Sequence, residues 1–388
     1  MTEADRRRVW TAVLFVAVAS GGAALQARGA LVPTFEVAFR VSEVQLGLLT
    51  PVATLGFVGP VVVVGVLAGR LPMRATVATG LALSGATLFL LGTASSFVSL
   101  LAFVGLRSAA VGLVRGLDRP ILSRLYPESR GRVFTLEAMA WAVGATLGPV
   151  LATAALALGS WRLTYYALGT VFLAVAVVAW HAEFPTGAGT ESAFTLADFR
   201  PLFDRPAVVG MSLTVILVGG IESTFFAWLP YYAADFLPRT AANVSLSAFL
   251  AAYVPGRFAF SRVADRYDPP DVVLGAAAAL ALLLAVLFGV GPMPTLPFLA
   301  GVFAAGFFVS ACFPLLLTWG VTAVPEFTGP VNALAMVAGQ VGFLVAPATV
   351  GVLAERFSIG TAMLVEVAMA LALVVLLAGR RARRAVRA

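Results

Sequence analysis

Arg107, Arg115, Asp118 and Arg119 stand in one otherwise apolar run. At 100° per residue they fall within an arc of about 120°, with Leu106, Leu113, Leu117 and Pro120 on the other side of the helix. Arg115 and Asp118 are spaced i,i+3 and can pair, and Glu137, two turns into the following run, can neutralise Arg119. That would make a structural ion network. The set also leaves one cation over, suited to bidentate binding of a carboxylate or phosphate. Both readings stay open at the level of sequence. Arg28 lies some 18 residues beyond Trp10, roughly 27 Å along a helix; it either reaches outward or pairs with Glu36, or it binds the same kind of ligand. Arg28, Arg107, Arg115 and Arg119 are therefore the candidate substrate-binding residues, with Trp319 and Gln340 as candidate lining of later runs. Glu222, alone in Gly219-Gly220-Ile221-Glu222-Ser223-Thr224, is a candidate proton carrier alongside Asp118 and Glu137. Its competing role is that of a structural hydrogen-bond acceptor.

Such groups need an unusual solvent, and the composition supplies it. The 388 residues are 60% hydrophobic and only 12% charged, against about 25% charged in soluble domains. An ionisable side chain at bilayer depth costs about 2.5–3.5 kcal/mol on insertion scales, so each requires a partner, water or a function. The single cysteine, Cys312, excludes an internal disulfide, and the single histidine, His181, leaves no metal cluster. No phosphate-binding loop is present, and no paired acids or Ser/His arrangement on a soluble domain suggests an enzyme. No cofactor is expected.

A hydrocarbon core of about 30 Å takes roughly 20 apolar residues as helix, because every backbone N–H and C=O must bond within the segment. Twelve such runs are read: 9–38, 44–69, 73–95, 98–123, 132–158, 162–181, 207–236, 242–263, 271–291, 297–324, 330–354 and 358–379. The first follows Arg6-Arg7-Arg8 in the manner of a signal peptide, but it continues past Gly21 to Val37, too long for a cleaved segment, and is expected to be retained. All basic residues are arginine. With both termini in the cytoplasm, inside segments hold seventeen of them and outside loops only four, Arg40, Arg162, Arg239 and Arg356. This asymmetry sets the orientation, so the pI of 10.3 reads as topology and not as nucleic-acid binding. The arginine-rich tail, Arg380 to Arg387, is suited to anionic membrane lipids.

The one extended polar stretch, 182–206, divides the chain into an N-terminal bundle, 1–181, and a C-terminal bundle, 207–388. The halves repeat. A shift of 198 aligns Pro127, Glu128 and Gly131 with Pro325, Glu326 and Gly329, and Leu136, Gly144 and Pro149 with Leu334, Gly342 and Pro347. A shift of 197 sets Pro33 and Phe39 against Pro230 and Phe236. Six segments separate each pair, so the repeat is parallel, as in one common transporter architecture.

On these residues the chain resembles the major facilitator superfamily over essentially its whole length. Gly65-Val66-Leu67-Ala68-Gly69-Arg70 is similar to the family's loop between helices two and three, with Gly69 in place of its acid. Ser261-Arg262-Val263-Ala264-Asp265-Arg266 is the second copy and keeps the acid. The resemblance implies a gating role for Arg70, Asp265 and Arg266. Gly144-Ala145-Thr146-Leu147-Gly148-Pro149 is similar to the first part of the family's antiporter motif, although close helix packing uses the same spacing. Gly-x-Glu followed by Trp228-Leu229-Pro230-Tyr231-Tyr232 is similar to helix seven of the sugar:proton branch, whose acid in helix four is replaced here by Arg115.

The expectation is an all-α integral membrane protein of the major facilitator fold, twelve transmembrane helices in two parallel six-helix repeats. It would work as a monomer in the cytoplasmic membrane, moving a small organic solute, by preference an anion, in exchange or in company with protons. An exporter of lipophilic compounds, a sugar symporter and a non-transporting membrane sensor are the alternatives.

Overall fold

A computed structural model describes residues 2–67, 71–128, 130–185, 201–264, 266–324 and 328–387. Arg70 and Asp265, two of the three expected gating residues, lie outside this set. The described residues form sixteen α-helices, a short 3-10 turn at 201–204 and no strand. Eleven helical stretches among them are long and apolar enough to cross a membrane.

Contacts divide the chain into two compact units. The first comprises 1–41 and 52–193. Its helices are α1 (Glu3–Phe39), α3 (Leu49–Leu67), α4 (Met73–Thr93), α5 (Phe97–Arg115), α6 (Asp118–Leu125), α7 (Arg130–Ala157) and α8 (Arg162–His181). The second comprises 42–51 and 194–388. It holds α2 (Glu43–Gly47), α9 (Pro206–Ala234), α10 (Arg239–Ala251), α11 (Tyr253–Ala264), α12 (Pro269–Gly289), α13 (Thr295–Ala323), α14 (Thr328–Arg356), α15 (Ile359–Ala362) and α16 (Leu364–Arg387).

The short α2 falls with the second unit, a departure from a division at residue 181. A Cβ on Gly47 would lie 3.2 Å from the Pro347 carbonyl and 3.3 Å from the Gly351 Cα, so its backbone packs directly on α14. The Val44 amide donates to Glu355 Oε2 at 3.1 Å, and the Tyr231 hydroxyl to Glu43 Oε1 at 3.2 Å.

A proline stands behind three of the places where expected spans divide. It lacks an N–H and crowds the carbonyl four residues back, so a helix yields just ahead of it. Pro51 stands behind the interruption at Leu48, Pro120 behind that at Gly116-Leu117, and Pro255 behind that at Ala252. Two of these interruptions turn charged or polar residues towards their partners.

Each unit is held by a close pair of helices. In the first, a Cβ on Gly144 of α7 would overlap the Ala19 carbonyl of α1, and one on Gly148 would overlap that of Ala23. In the second, a Cβ on Gly342 of α14 would overlap the Ile216 carbonyl of α9. The Gly144–Ala19 contact thus recurs 198 and 197 positions later, at the offsets of the sequence repeat. The glycines let backbones approach where lipid supplies no hydrophobic drive for helix association.

Candidate functional site

The charges of α5 and α6 divide into two groups. Arg107 stands two turns, roughly 12 Å, from Arg115. The interruption before Asp118 places its carboxyl against Arg115, whose Nη1 salt-bridges both Asp118 Oδ2 and Glu137 Oε1. Arg119 Nε stands 3.6 Å from Glu137 Oε2, its guanidinium lies 5.9 Å from the Phe134 ring, and its backbone amide donates to Asp118 Oδ1 at 2.6 Å. Both carboxylates are 1% exposed. Two arginines and two acids balance, so Arg115 and Arg119 form a closed ion network and Asp118 and Glu137 are its anions. Treating Arg107 as part of that set is corrected by the geometry. Arg107 stands apart from that network.

Arg107 instead lies within electrostatic reach of Arg28 and of Tyr165 on α8. Arg28 and Arg107 are each 8% exposed and Tyr165 1%. Arg107 Nη2 reaches the Gly21 carbonyl at 3.5 Å, while its Nε and the Tyr165 hydroxyl make no hydrogen bond among the described residues. Trp161 closes on Tyr165 edge to face at 5.9 Å, and Phe35 on Trp161 at 5.3 Å, which fixes this end of α8 against α1. The first unit therefore buries two guanidiniums and a phenol together.

The second unit has its own polar centre. The α10–α11 interruption turns Tyr253 towards α9, where its hydroxyl donates to Glu222 Oε1 at 2.7 Å. Arg257, one turn on, lies 5.3 Å from the Tyr253 ring and within electrostatic reach of Glu222. The buried Cys312 thiol of α13 donates to the Phe308 carbonyl at 3.4 Å and lies within electrostatic reach of the same carboxyl. Sequence reasoning missed Tyr165, Tyr253 and Arg257. The one available signal was Arg257, an arginine inside the eighth apolar run.

The remaining candidates are dispersed. Trp319 packs on Gly210, where a Cβ would come 2.5 Å from the indole, and carries the Arg380 guanidinium 5.0 Å above its ring. Arg380 in turn bridges Asp268 at 2.8 Å. Trp319 therefore belongs to the junction of α9, α13 and the tail of α16, four residues from the end of α13, and does not join Glu222. Gln340 is half-buried on α14, next to the Gly339 that packs on α9. Arg266 is described as a turn residue following α11. No group of three or more His, Cys, Asp or Glu residues arranged to hold a metal occurs among the described residues.

Two repeated bundles of membrane-length helices, each with a buried polar centre, define a polytopic membrane protein. The family signature of the Major Facilitator Superfamily matches residues 9–237 and 211–387. The chain belongs to that superfamily and is a multi-pass membrane protein. Its sequence is 26% identical over 223 residues to Protein TsgA homolog of Erwinia tasmaniensis, covering 54% of each chain. It is 24% identical over 251 residues to Protein TsgA of Escherichia coli O157:H7, covering 62% of this chain and 57% of that one. The matched stretch thus spans little more than half the length of these relatives. The fold is similar to the nucleoside transporter NupG (D323A mutant), with a TM-score of 0.83 at 13% identity over 96% of this chain and 99% of that one. It is also similar to a bacterial homolog of the human lysosomal transporter Spinster in an inward-facing, unoccupied conformation, with a TM-score of 0.79 at 15% identity over 96% of both chains.

Proposed function

We propose that the chain is a secondary transporter of a small organic anion in the cytoplasmic membrane, with both termini inside, coupled to protons through Glu222. The convergence of Arg28, Arg107 and Tyr165 in one buried place carries the anion preference. Arg107 keeps a buried Nε with no hydrogen-bond partner among the described residues, and burial in an apolar bundle strengthens the attraction of such a planar, charged donor for an anion. Proton coupling is assigned to Glu222 because Asp118 and Glu137 are each bound by a salt bridge to Arg115, whereas the direct hydrogen-bond partner of Glu222 is a neutral phenol. The seventeen inside arginines support the orientation.

The test is a thermal-shift screen of purified protein against carboxylates, phosphate esters, neutral sugars and lipophilic cations, repeated with Arg28→Gln and Arg107→Gln. Stabilisation by anions that is lost in both variants is expected. Stabilisation by neutral or cationic compounds alone, or by anions indifferent to both substitutions, sinks the reading and favours the sugar or lipophilic-compound alternatives.

A further inference from the structure

We infer that Arg257 is an anion ligand of the second unit, and that an anion arriving on its guanidinium displaces the carboxylate of Glu222, which then takes up a proton. This rests on the proton-coupled anion reading above and gives it a chemical step.

The argument starts from what surrounds the carboxyl. Tyr253 donates to Glu222 Oε1 at 2.7 Å, which occupies one oxygen with a neutral partner. Arg257 is the cation in electrostatic reach, and its Nε is buried with no hydrogen-bond partner among the described residues. The guanidinium is half-buried beneath the Tyr253 ring, so it is held close without being consumed by the carboxylate. From α13 the ionisable group is Cys312, whose thiol supplies no positive charge at neutral pH. On α10 the only ionisable side chain is Arg239 at its start; on α14 they are Glu355, tied to Val44, and Arg356. On α16 the ionisable side chain near this level is Glu366, which faces Thr224 on another side of α9. Arg257 is therefore the counter-charge on which an ionised Glu222 depends.

An anion and the Glu222 carboxylate compete for that one counter-charge. When the anion takes it, a carboxylate left in the bundle has lost its compensation, and it is neutralised by accepting a proton from water. One O–H bond forms on Glu222 and one hydroxide is left to the medium. With a monovalent anion such as benzoate, the protein then holds one anion and one additional proton, so the loaded site carries the net charge of the empty one. Tyr253 can keep its hydrogen bond throughout, because its hydroxyl donates to the carbonyl oxygen of a protonated carboxyl as well as to a carboxylate. It is a positioning residue.

Calorimetric titration of the purified full chain with benzoate, succinate and inorganic phosphate, run in two buffers of different ionisation enthalpy, counts protons taken up per anion bound. Wild type is expected to take up about one proton per anion. Arg257→Gln is expected to bind about tenfold or more weakly and without proton uptake. Glu222→Gln is expected to bind without proton uptake, and Arg257→Lys to restore part of both. Proton uptake that persists in Glu222→Gln, or unchanged affinity and uptake in Arg257→Gln, overturns the exchange while leaving the anion reading in place. Should Arg257→Gln fail to fold, Glu222→Gln decides alone. If none of the three anions binds wild type, the anion reading and this step fall together.

Discussion

The peptide carbonyl of Ala19 lies where a side chain on Gly144 would have to begin. Close backbone approach at this point joins α1 to α7. Gly144→Val is therefore expected to lower the thermal stability of the purified protein by about 1–3 kcal/mol, as overpacking in a core does. Gly59→Ala is the control, because nothing lies within 4 Å of its Cβ position. Equal melting of the two variants would show that the glycine is dispensable for packing and return the Gly144–Pro149 run to an export signature.

Arg115 and Arg119 differ in what they leave behind when removed. Arg115 holds two carboxylates that are 1% exposed, so Arg115→Gln strands buried charge and is expected to cost about 3 kcal/mol. Arg119 is 38% exposed on its side chain and stands 3.6 Å from Glu137, so Arg119→Gln should cost under about 1 kcal/mol. Detergent-solubilised melting curves rank the two directly. A larger loss for Arg119→Gln would contradict the closed network.

Asp235 caps α9 beyond the membrane-spanning stretch. Desolvation first, and the nearby Glu43 second, raise its carboxyl above the ordinary carboxylate range. A raised folded-state value means that the folded protein binds the proton more tightly than the unfolded chain does, so ionisation of this group works against folding as pH rises through that range. Asp235→Asn is expected to melt slightly higher than wild type around pH 7, with the difference closing as pH falls below the ordinary carboxylate range, where the aspartate is protonated in both the folded and the unfolded chain. The effect is small because the side chain is exposed. A gain that is the same at both pH values would refer it to some cause other than charge.

Much of this was written locally. The spans, the repeat and the pairing of Arg119 with Glu137 follow from hydropathy, offset and helical spacing, which depend on near neighbours in the chain. What was not legible depends on where helices yield. Nothing in the spacing of Glu222 and Tyr253, 31 residues apart, brings them together; the interruption ahead of Pro255 does. Arg28 and Arg107 were each singled out, yet their meeting with Tyr165 is a property of three packed helices. Nor does the sequence show that Trp319, an aromatic on a late helix, supports Arg380, which follows from the arginine-bearing end of α16 being drawn to Asp268 at the start of α12.

The interruption at Ala252 also bears on how the chain is counted. Eleven helical stretches pass as membrane-crossing by length and apolarity, and the two pieces α10 and α11, of 13 and 12 residues, do not. Crossing number is a matter of parity. Omitting this pair would invert the assigned side of every later loop and set Arg380, Arg381, Arg383 and Arg384 on the outer face, against the rule that holds arginine inside. A broken helix that hydropathy overlooks is thus the hinge on which the handedness of the whole topological map turns.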